Sequence, residues 1–344
     1  MASISRRKFL QVTSAASLAA VASLPAVSRA AAGSPITLRF SASMPADPNA
    51  SHYVWYQHFA ANLKASVGDR IRIDFFPNSQ LGKESDVVQQ VKIGSTDMMV
   101  AGASIWATIA PEIGMLDLGY LFDSFGHAAK VLDGRVGASL NTMLESRSGC
   151  RILTWASQFG ARSVFTKKPV QSLAQLKGVK LRVLPTPAFI ETFKAMGAVP
   201  TPIPFGELYM AVQTGVVEGL EHDPATVLSS KLDEVVKSCW QTQHVFSPLA
   251  IVMGKRAMDK IPADLRPAFL KAVSDATVQQ RGIADAKVVE SEQQLKQHGV
   301  AFYPMAPAER DTVRRELQRT LYQSFAKQYP ATAPLFADVA ATRA

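Results

Sequence analysis

One stretch of the sequence, residues 176–224, constrains the fold more than any other. Near its start, residues 179–183 alternate apolar and basic side chains, which is the pattern of a half-buried strand. Arg182 falls where this strand runs out into a proline-containing loop. In open α/β sheets, ligands collect outside the carboxyl ends of strands, and a guanidinium fixed there offers two donors to one carboxylate. We therefore expect Arg182 to anchor an organic anion; the alternative is an arginine that caps the strand end or faces water.

The N-terminal segment is typical of an export signal rather than of a folded domain. Arg6, Arg7 and Lys8 precede a run rich in Ala, Ser, Val and Leu, and small residues near Ala32 suit signal peptidase. The run is too weakly apolar for a stable membrane anchor. We expect residues 1–32 to be a twin-arginine signal peptide and the protein to be periplasmic.

Length and charge exclude some classes of protein. Removal of residues 1–32 leaves 312 of the 344 residues, enough for two domains. The formal charge of +9 falls to +5 without the four basic residues of the signal, and basic residues form no block of five or more. The sequence therefore gives little support to a nucleic-acid partner. We expect a monomer.

The sequence contains two cysteines, Cys150 and Cys239. In an oxidising compartment they could form a disulfide, but two buried free thiols agree equally well with the sequence, because the spacing does not show that they meet. CxxC motifs and Cys/His clusters of metal-binding type are absent from the sequence. We therefore expect neither a cofactor nor a structural metal.

The order of predicted strands and helices occurs twice along the chain. Residues 91–97 and 212–218 each contain a helix end, a glycine suited to a left-handed cap, and an acidic residue three positions later. Two occurrences indicate two similar α/β lobes rather than a solenoid. The predicted strands and helices of the repeat are 36–40, 51–67, 71–75, 84–93 and 97–100 in the first half, and 179–184, 188–196, 199–203, 206–214 and 216–218 in the second.

Motifs of common enzymes are missing. The sequence has no GxSxG, no P-loop, no GxGxxG after a strand and no HExxH. Carboxylates such as Asp117 have no partner at a spacing that implies an acid–base pair. We therefore expect a protein that is not an enzyme, with an exported hydrolase or isomerase as a minor alternative.

Four further residues are candidates for a ligand site, and each has a simpler structural explanation. Arg162 follows a predicted strand, although a lone arginine there is ordinarily exposed. Phe205 precedes a helix start and either walls a cleft or packs in a core. Trp106 follows a run of small residues. His222 lies at another predicted strand end, where a histidine bonded to a neighbouring carbonyl is the alternative.

Four motifs in order resemble a known family. They are FPNSQLG at 76–82, LKGVKLRV at 176–183, PTPIPFGELY at 200–209 and QTGVVEG at 213–219. Over residues 36 to about 262, the chain resembles the DctP-like solute receptors of tripartite ATP-independent periplasmic (TRAP) transporters. The resemblance implies a two-lobed α/β fold of the periplasmic-binding-protein type (type II-like), with a cleft and a long helix that braces both lobes. It also implies a carboxylate-bearing organic acid as ligand and a TRAP permease, with small and large membrane subunits, as partner.

The resemblance also assigns residues. It implies that Arg182 binds the ligand carboxylate, that Arg162 is the second cleft arginine, and that Phe205 is the cleft aromatic residue. His222 stands where many members have an asparagine, and Glu84 corresponds to a carboxylate that some members have after Gln-Leu-Gly. With Trp106 as an apolar wall, these are the expected substrate-binding residues. The expected lobes are residues 33–158 with about 249–288, and residues 159–248 with about 289–344.

Differences from the family motifs narrow the range of possible ligands. Gly102, Pro45 and Pro185 replace polar residues of the sialate receptors, and each unpaired ligand group costs about 1–3 kcal/mol. We therefore expect a smaller or less polar acid than sialate; dicarboxylates, keto or hydroxy acids and aromatic acids all remain open. Should His222 donate as a cation, affinity would rise as pH falls.

Two further alternatives concern partner and metal. A receptor for signalling or scaffolding, without a permease, is the second functional hypothesis. Some relatives bind a cation beside the ligand, and Glu221 or Asp223 could serve, although nothing in the sequence requires a metal.

Overall fold

Two β-sheets organise the chain in the computed structural model, which describes residues 35–343. The signal peptide predicted for residues 1–32 lies outside the described residues. Within the described range, every helix is too short or too polar to cross a membrane.

The first sheet has five strands. Numbered in chain order, they are β1 (Ile36–Ala42), β2 (Ile71–Phe76), β3 (Met98–Gly102), β4 (Arg151–Ser157) and β10 (Pro248–Met253). Their spatial order is β2-β1-β3-β10-β4, with β1 parallel to both β2 and β3. β10 runs antiparallel between β3 and β4, so a late segment of the chain completes the sheet that the N-terminal residues begin.

The second sheet has six strands. They are β5 (Arg162–Thr166), β6 (Lys180–Val183), β7 (Val199–Pro202), β8 (Gly219–His222), β9 (Ser238–Val245) and β11 (Ala301–Pro304). Their spatial order is β11-β9-β5-β8-β6-β7. β6 is parallel to β7 and β8, whereas β5 is antiparallel to β8 and β9.

Helices cover both sheets. The α-helices of the described residues are α1 (Ser51–Val67), α2 (Glu84–Ile93), α3 (Phe125–Leu132), α4 (Arg135–Ser148), α5 (Leu173–Leu176), α6 (Pro187–Ala195), α7 (Leu208–Gln213), α8 (Pro224–Ser229), α9 (Lys255–Lys260), α10 (Arg266–Gly282), α11 (Ala284–Gln297), α12 (Pro307–Leu317), α13 (Gln323–Gln328) and α14 (Ala333–Ala341). Short 3-10 helices at Ala103–Thr108 and Pro111–Asp117 follow β3, and another at Phe205–Glu207 precedes α7.

The long helix that braces both lobes consists of α10 and α11, separated by Ile283. α10 packs against α1 and β4 of the first sheet, and α11 packs against α8 beside the second sheet. Apolar side chains on one face of α1, Trp55 and Phe59, meet Phe40 of β1 and Phe269 of α10. Burial of this aromatic group fixes the helix on the first sheet.

The C-terminal helices contact elements next to both sheets. A π-helical turn, Gln318–Tyr322, joins α12 to α13. α12 lies against α6, which follows β6, and α14 lies against α4, which precedes β4. The strands fall in the two predicted lobes, while the residue limits of those lobes stay a prediction.

Several local predictions are confirmed and others are wrong. Gly94 and Gly215 both have positive φ, 83° and 80°, as their repeated signature predicts. The strand predicted at 216–218 begins at Gly219 instead, and Arg162 begins a strand rather than lying in a loop. Cys150 and Cys239 are both buried free thiols.

Candidate functional site

Three strands of the second sheet bring predicted site residues to one edge. β8 runs parallel to β6 and antiparallel to β5, so the start of β5 and the ends of β6 and β8 share that edge. Arg162 begins β5, Arg182 is next to last in β6, and His222 ends β8. All three side chains are buried. The structure therefore brings together two arginines and a histidine that are far apart in sequence.

Arg182 is buried with half of its guanidinium unpaired. Its Nε donates to the carbonyl of Ile203 at 2.8 Å, whereas Nη1 and Nη2 have no hydrogen-bond partner among the described residues. The ring centre of Phe205 lies 5.9 Å from Cζ, within reach of a weak cation–π contact. Burial lowers the pKa of Arg182 to about 10, so the group stays charged at neutral pH. A buried charge with two such donors is unfavourable without an anion.

Arg162, in contrast, is already neutralised by Glu221. Nε and Nη2 donate to the two carboxylate oxygens at 2.6 and 2.7 Å, and Nη2 also donates to the Glu221 carbonyl at 3.1 Å. The guanidinium lies 5.0 Å from the ring centre of Phe189. Only Nη1 faces away from the pair, toward His222 at 3.4 Å. Arg162 therefore has one nitrogen to offer a ligand, and Arg182 has two.

Glu221 is held ionised although it is fully buried. Burial alone would raise its pKa, but Arg162 and His244 outweigh that effect and lower the pKa to about 2. His244 Nε2 lies 3.3 Å from Glu221 Oε2, the oxygen that also accepts from Arg162 Nε. The sequence signal for this pairing was an acidic residue inside a buried strand, because such a charge requires a partner.

His222 is neutral in this arrangement. Nε2 faces Arg162, which can only donate, so Nε2 accepts and Nδ1–H donates to Asp223 at 2.7 Å. Burial, reinforced by the positive charge of Arg162, lowers the pKa of His222 to about 4. The ring also meets the edge of Phe205, with centroids 5.7 Å apart. The ligand-free arrangement therefore favours a neutral His222, and the charged-donor role stays a prediction.

Asp223 and Glu221 are both occupied by protein groups. Besides His222, Asp223 accepts hydrogen bonds from the backbone N–H and hydroxyl of Thr226, at 2.9 and 2.8 Å, and so caps α8. Within residues 35–343, no three His, Cys, Asp or Glu side chains converge as metal ligands. Neither carboxylate is free for the cation considered from the sequence.

Residues at or after the ends of strands in the first sheet form the opposite wall of the cleft, facing Arg162 and His222. Glu84 begins α2, and its carboxylate accepts a hydrogen bond from the Ser43 hydroxyl at 2.9 Å. Burial raises its pKa, although Ser43, Arg182 and Arg162 counteract part of that rise. Gly102 ends β3, and a Cβ at this position would meet no atom within 4 Å. The missing side chain therefore leaves open space in the wall.

The two walls enclose a cavity of about 20 Å³, room for one or two water molecules. Its lining is Met44, His52, Glu84, Gly102, Ile105, Asp117, Gln158, Arg162, Leu184, Phe205, His222 and Ser247. Arg182 is not one of these lining residues, but its Cζ lies 5.9 Å from the ring centre of Phe205, which is. Trp106 is fully buried in the core and does not line the cavity. Its neighbour Ile105 lines the cavity instead and provides apolar surface.

Sequence reasoning missed three polar residues of this cavity, His52, Asp117 and Gln158. Within residues 35–343, each has one buried polar atom without a hydrogen-bond partner: His52 Nε2, Asp117 Oδ2 and Gln158 Oε1. Burial raises the pKa of Asp117, whose other oxygen accepts from Ser247 at 3.1 Å, and burial lowers the pKa of His52 to about 3. The cavity therefore offers hydrogen-bond acceptors to a ligand. A polar residue within a buried apolar run, as Asp117 is, was the available signal.

Two α/β lobes that enclose an unpaired, buried arginine define a solute receptor of the periplasmic-binding-protein type. Residues 42–328 match the family of bacterial extracellular solute-binding proteins, family 7 (DctP). The chain belongs to this family, the solute-binding receptors of TRAP transporters.

Relatives with known ligands are similar over most of the chain. The 2,3-diketo-L-gulonate-binding periplasmic protein YiaO of Escherichia coli (strain K12) is 31% identical over 82% of this chain and 87% of its own. A TRAP periplasmic solute-binding protein from Pseudomonas putida F1, solved with bound D-glucuronate, is 30% identical, with a TM-score of 0.81 and coverage of 90% and 98%. The sugar acid binding protein DctPAm from Advenella mimigardefordensis strain DPN7T, solved with galactonate, is 25% identical, with a TM-score of 0.84 and coverage of 90% and 99%.

Proposed function

We propose that this protein is the periplasmic receptor of a TRAP transporter for a hydroxylated sugar acid. The observation that carries the proposal is the unsatisfied Nη1 and Nη2 of Arg182, together with unsatisfied acceptors on Asp117 and Gln158, all without a hydrogen-bond partner among the described residues. A molecule with a carboxylate at one end and hydroxyl groups along its length satisfies both sets. The galactonate, D-glucuronate and 2,3-diketo-L-gulonate of the relatives support this class.

In this proposal each wall has a separate task. Arg182 holds the carboxylate through Nη1 and Nη2, and Arg162 adds its single free nitrogen. Glu84 bonds to ligand hydroxyls, Phe205 covers the sugar carbons, and His222, whose two nitrogens contact Arg162 and Asp223, meets the ligand through its ring. From Gly102, Pro45 and Pro185 the sequence favoured a smaller or less polar acid. The proposal changes that expectation to a hydroxylated acid, because Asp117 and Gln158 supply acceptors that the sequence motifs did not reveal.

The cavity of about 20 Å³ is too small for a six-carbon acid, so in the proposal the lobes stand further apart around the bound ligand than they do in this structure. We place the movement between residues 33–158 with about 249–288 and residues 159–248 with about 289–344. The ligand drives closure only if it binds the closed form better than the open one. Closure expels water, which strengthens the attraction between the carboxylate and Arg182.

A matched panel of acids tests the ligand class. Galactonate and hexanoate both have six carbons and one carboxylate, but only galactonate carries hydroxyl groups. We expect galactonate or D-glucuronate to raise the melting temperature, because a ligand at 100 times its Kd stabilises by about 2.7 kcal/mol. Asp117→Asn should weaken galactonate more than it weakens hexanoate. Equal affinity of the wild-type protein for the two acids would contradict the proposal.

Delivery to a permease is tested separately in cells. Uptake of the labelled acid should stop when the receptor gene is deleted, return with the wild-type gene and stay absent with Arg182→Ala. Unchanged uptake in the deletion strain, with binding intact in vitro, would instead favour the receptor without a permease.

A further inference from the structure

A second and larger cavity, of about 350 Å³, lies next to the acid site. One side is formed by the 3-10 helices after β3, another by the start of α6 after β6, and the third by the π-helical turn and α13. Ligand pockets in proteins usually have volumes of about 300–1,000 Å³. The cavity therefore has the size of a small-molecule site, and nothing in the proposed acid site uses it.

One hydroxyl group in this cavity lacks a partner. Thr186 lines the cavity, its side chain is almost fully buried, and its hydroxyl has no hydrogen-bond partner in the described part of the chain, whereas the Ser104 hydroxyl lies beside Asp117. A buried hydroxyl without a partner is unfavourable, so a bound molecule that bonds to Thr186 gains affinity. The lining therefore recognises a ligand with at least one hydrogen-bonding group.

The rest of the lining is apolar or neutral, which excludes an anion. Leu118, Leu321 and the rings of Phe325 and Tyr329, 4.9 Å apart, supply the apolar surface. Glu191 is the one charged residue in the lining that the structure describes, and Lys194 pairs with it at 2.8 Å. Lys194 is already paired with Glu191, so a carboxylate would gain no free counter-charge here. The cavity therefore suits an uncharged ring or short chain with a hydroxyl group.

Its position links the second cavity to the acid site. Ser104 lowers the pKa of Asp117, and Asp117 lines the acid cavity on its other side. Residues that follow a strand of each sheet also line the second cavity, so movement of the lobes changes its shape. A molecule bound there interacts differently with open and closed forms, and that difference couples the two sites.

We propose that this cavity is a regulatory site for a small, uncharged, hydroxyl-bearing apolar molecule, whose binding changes the affinity of the cleft for its acid. The binding itself is independent of the proposed function, whereas the coupling rests on it. Phenol is the probe, and benzoate, with a similar ring but a negative charge, is its matched control.

The test uses calorimetry and ligand-observed NMR on the full mature chain. We expect saturable phenol binding, at least tenfold weaker binding of benzoate, and a change of at least threefold in galactonate affinity when phenol saturates. Ala188→Leu places a larger side chain in the cavity and should abolish phenol binding, whereas Ala195→Leu, on the exposed side of the same helix, should not.

Thr186→Val keeps the shape of the side chain and removes its hydroxyl, so it provides a second variant if Ala188→Leu does not fold. It should weaken phenol at least threefold. Phenol binding that survives in both Ala188→Leu and Thr186→Val, or that galactonate displaces competitively, would overturn the site. Unchanged galactonate affinity at saturating phenol would overturn the coupling, and direct galactonate titration without phenol reports separately on the acid site.

Discussion

Lys83 and Glu207 form an ion pair across the mouth of the cleft, with Nζ and Oε1 2.6 Å apart. Lys83 directly precedes α2 beside the first sheet, and Glu207 lies in the 3-10 helix that follows β7 of the second. Both side chains are more than half exposed, so solvent screens the pair. We therefore expect this pair to act as a weak latch that holds the two walls of the cleft together.

Breaking this latch should mainly affect ligand release. Lys83→Ala should raise the ligand dissociation rate by less than about fivefold, and the difference should vanish at 1 M salt, where the Debye length is about 3 Å. Stopped-flow displacement measures the rate. Lys255→Ala, which breaks the exposed pair with Asp259 away from the cleft, should leave it unchanged. Equal rates in Lys83→Ala and wild type at low salt would exclude the latch.

Arg182 should dominate affinity for the acid. Arg182→Ala should cost about 3–5 kcal/mol of binding free energy, because the buried carboxylate would lose its main counter-charge. Arg182→Lys keeps the charge but loses the two-point geometry, and should recover only part of the loss. Calorimetry with the acid found in the ligand screen measures both. A loss below tenfold in Arg182→Ala would remove Arg182 from the anchoring role.

Glu221 should matter for stability as well as for the site. Glu221→Gln leaves Arg162 buried without its full counter-charge and should destabilise the fold by about 3–5 kcal/mol, measured by urea unfolding at pH 7. Asp275→Asn removes an exposed partner of Lys271 and should cost less than about 0.5 kcal/mol.

The same pair predicts a pH dependence. The native pKa of Glu221, about 2, is below its ordinary value of 4.5, so the pair stabilises the fold fully above pH 4.5. The stability advantage of wild type over Glu221→Gln should shrink as pH falls from about 4.5 toward 2. An advantage that stays constant over that range would show that Glu221 is not held ionised.

His222 should not make acid binding depend on pH between 5 and 8. With its pKa lowered to about 4, the imidazole is neutral throughout that range. Calorimetry at several pH values should give the same affinity for wild type and His58→Asn, and a uniformly lower one for His222→Asn. Affinity that rises as pH falls, and ceases to do so in His222→Asn, would restore the charged-donor alternative.

Gly102 should set the space at the first-sheet wall. Its φ of −53° and ψ of 140° suit any residue, and an added Cβ meets nothing within 4 Å. Gly102→Ala and Gly102→Leu should therefore keep the melting temperature within a few degrees, while affinity for a six-carbon acid falls more than tenfold in the leucine variant. Undiminished affinity in Gly102→Leu would place the ligand elsewhere in the cleft.

Patterns within short stretches of sequence predicted the strands and helix caps that neighbouring residues determine. Alternation of side chains located β6 and placed Arg182 near its end, and the repeated glycine signature gave the left-handed caps at Gly94 and Gly215. Family motifs then selected Arg162, Phe205 and His222, which the structure brings to one cleft.

Pairings between distant residues could not be predicted in the same way. Arg162 and Glu221 are 59 positions apart, and an apolar strand with one acid indicates that a partner exists but not which residue it is. Trp106 was misplaced because burial in a core and exposure to a cleft select the same aromatic side chain. The acceptors on Asp117 and Gln158 follow no local period, since their position depends on how the lobes meet.

The position of β10 has a consequence for how the protein is made. β3 and β4 pair with β10 rather than with each other, and strands β5 to β9 lie between β4 and β10 in the sequence. Until residues 248–253 leave the ribosome, both strands present an unpaired edge of the kind that promotes aggregation. A nascent chain that stops short of β10 cannot finish its first sheet, and the second sheet is completed later still, by β11.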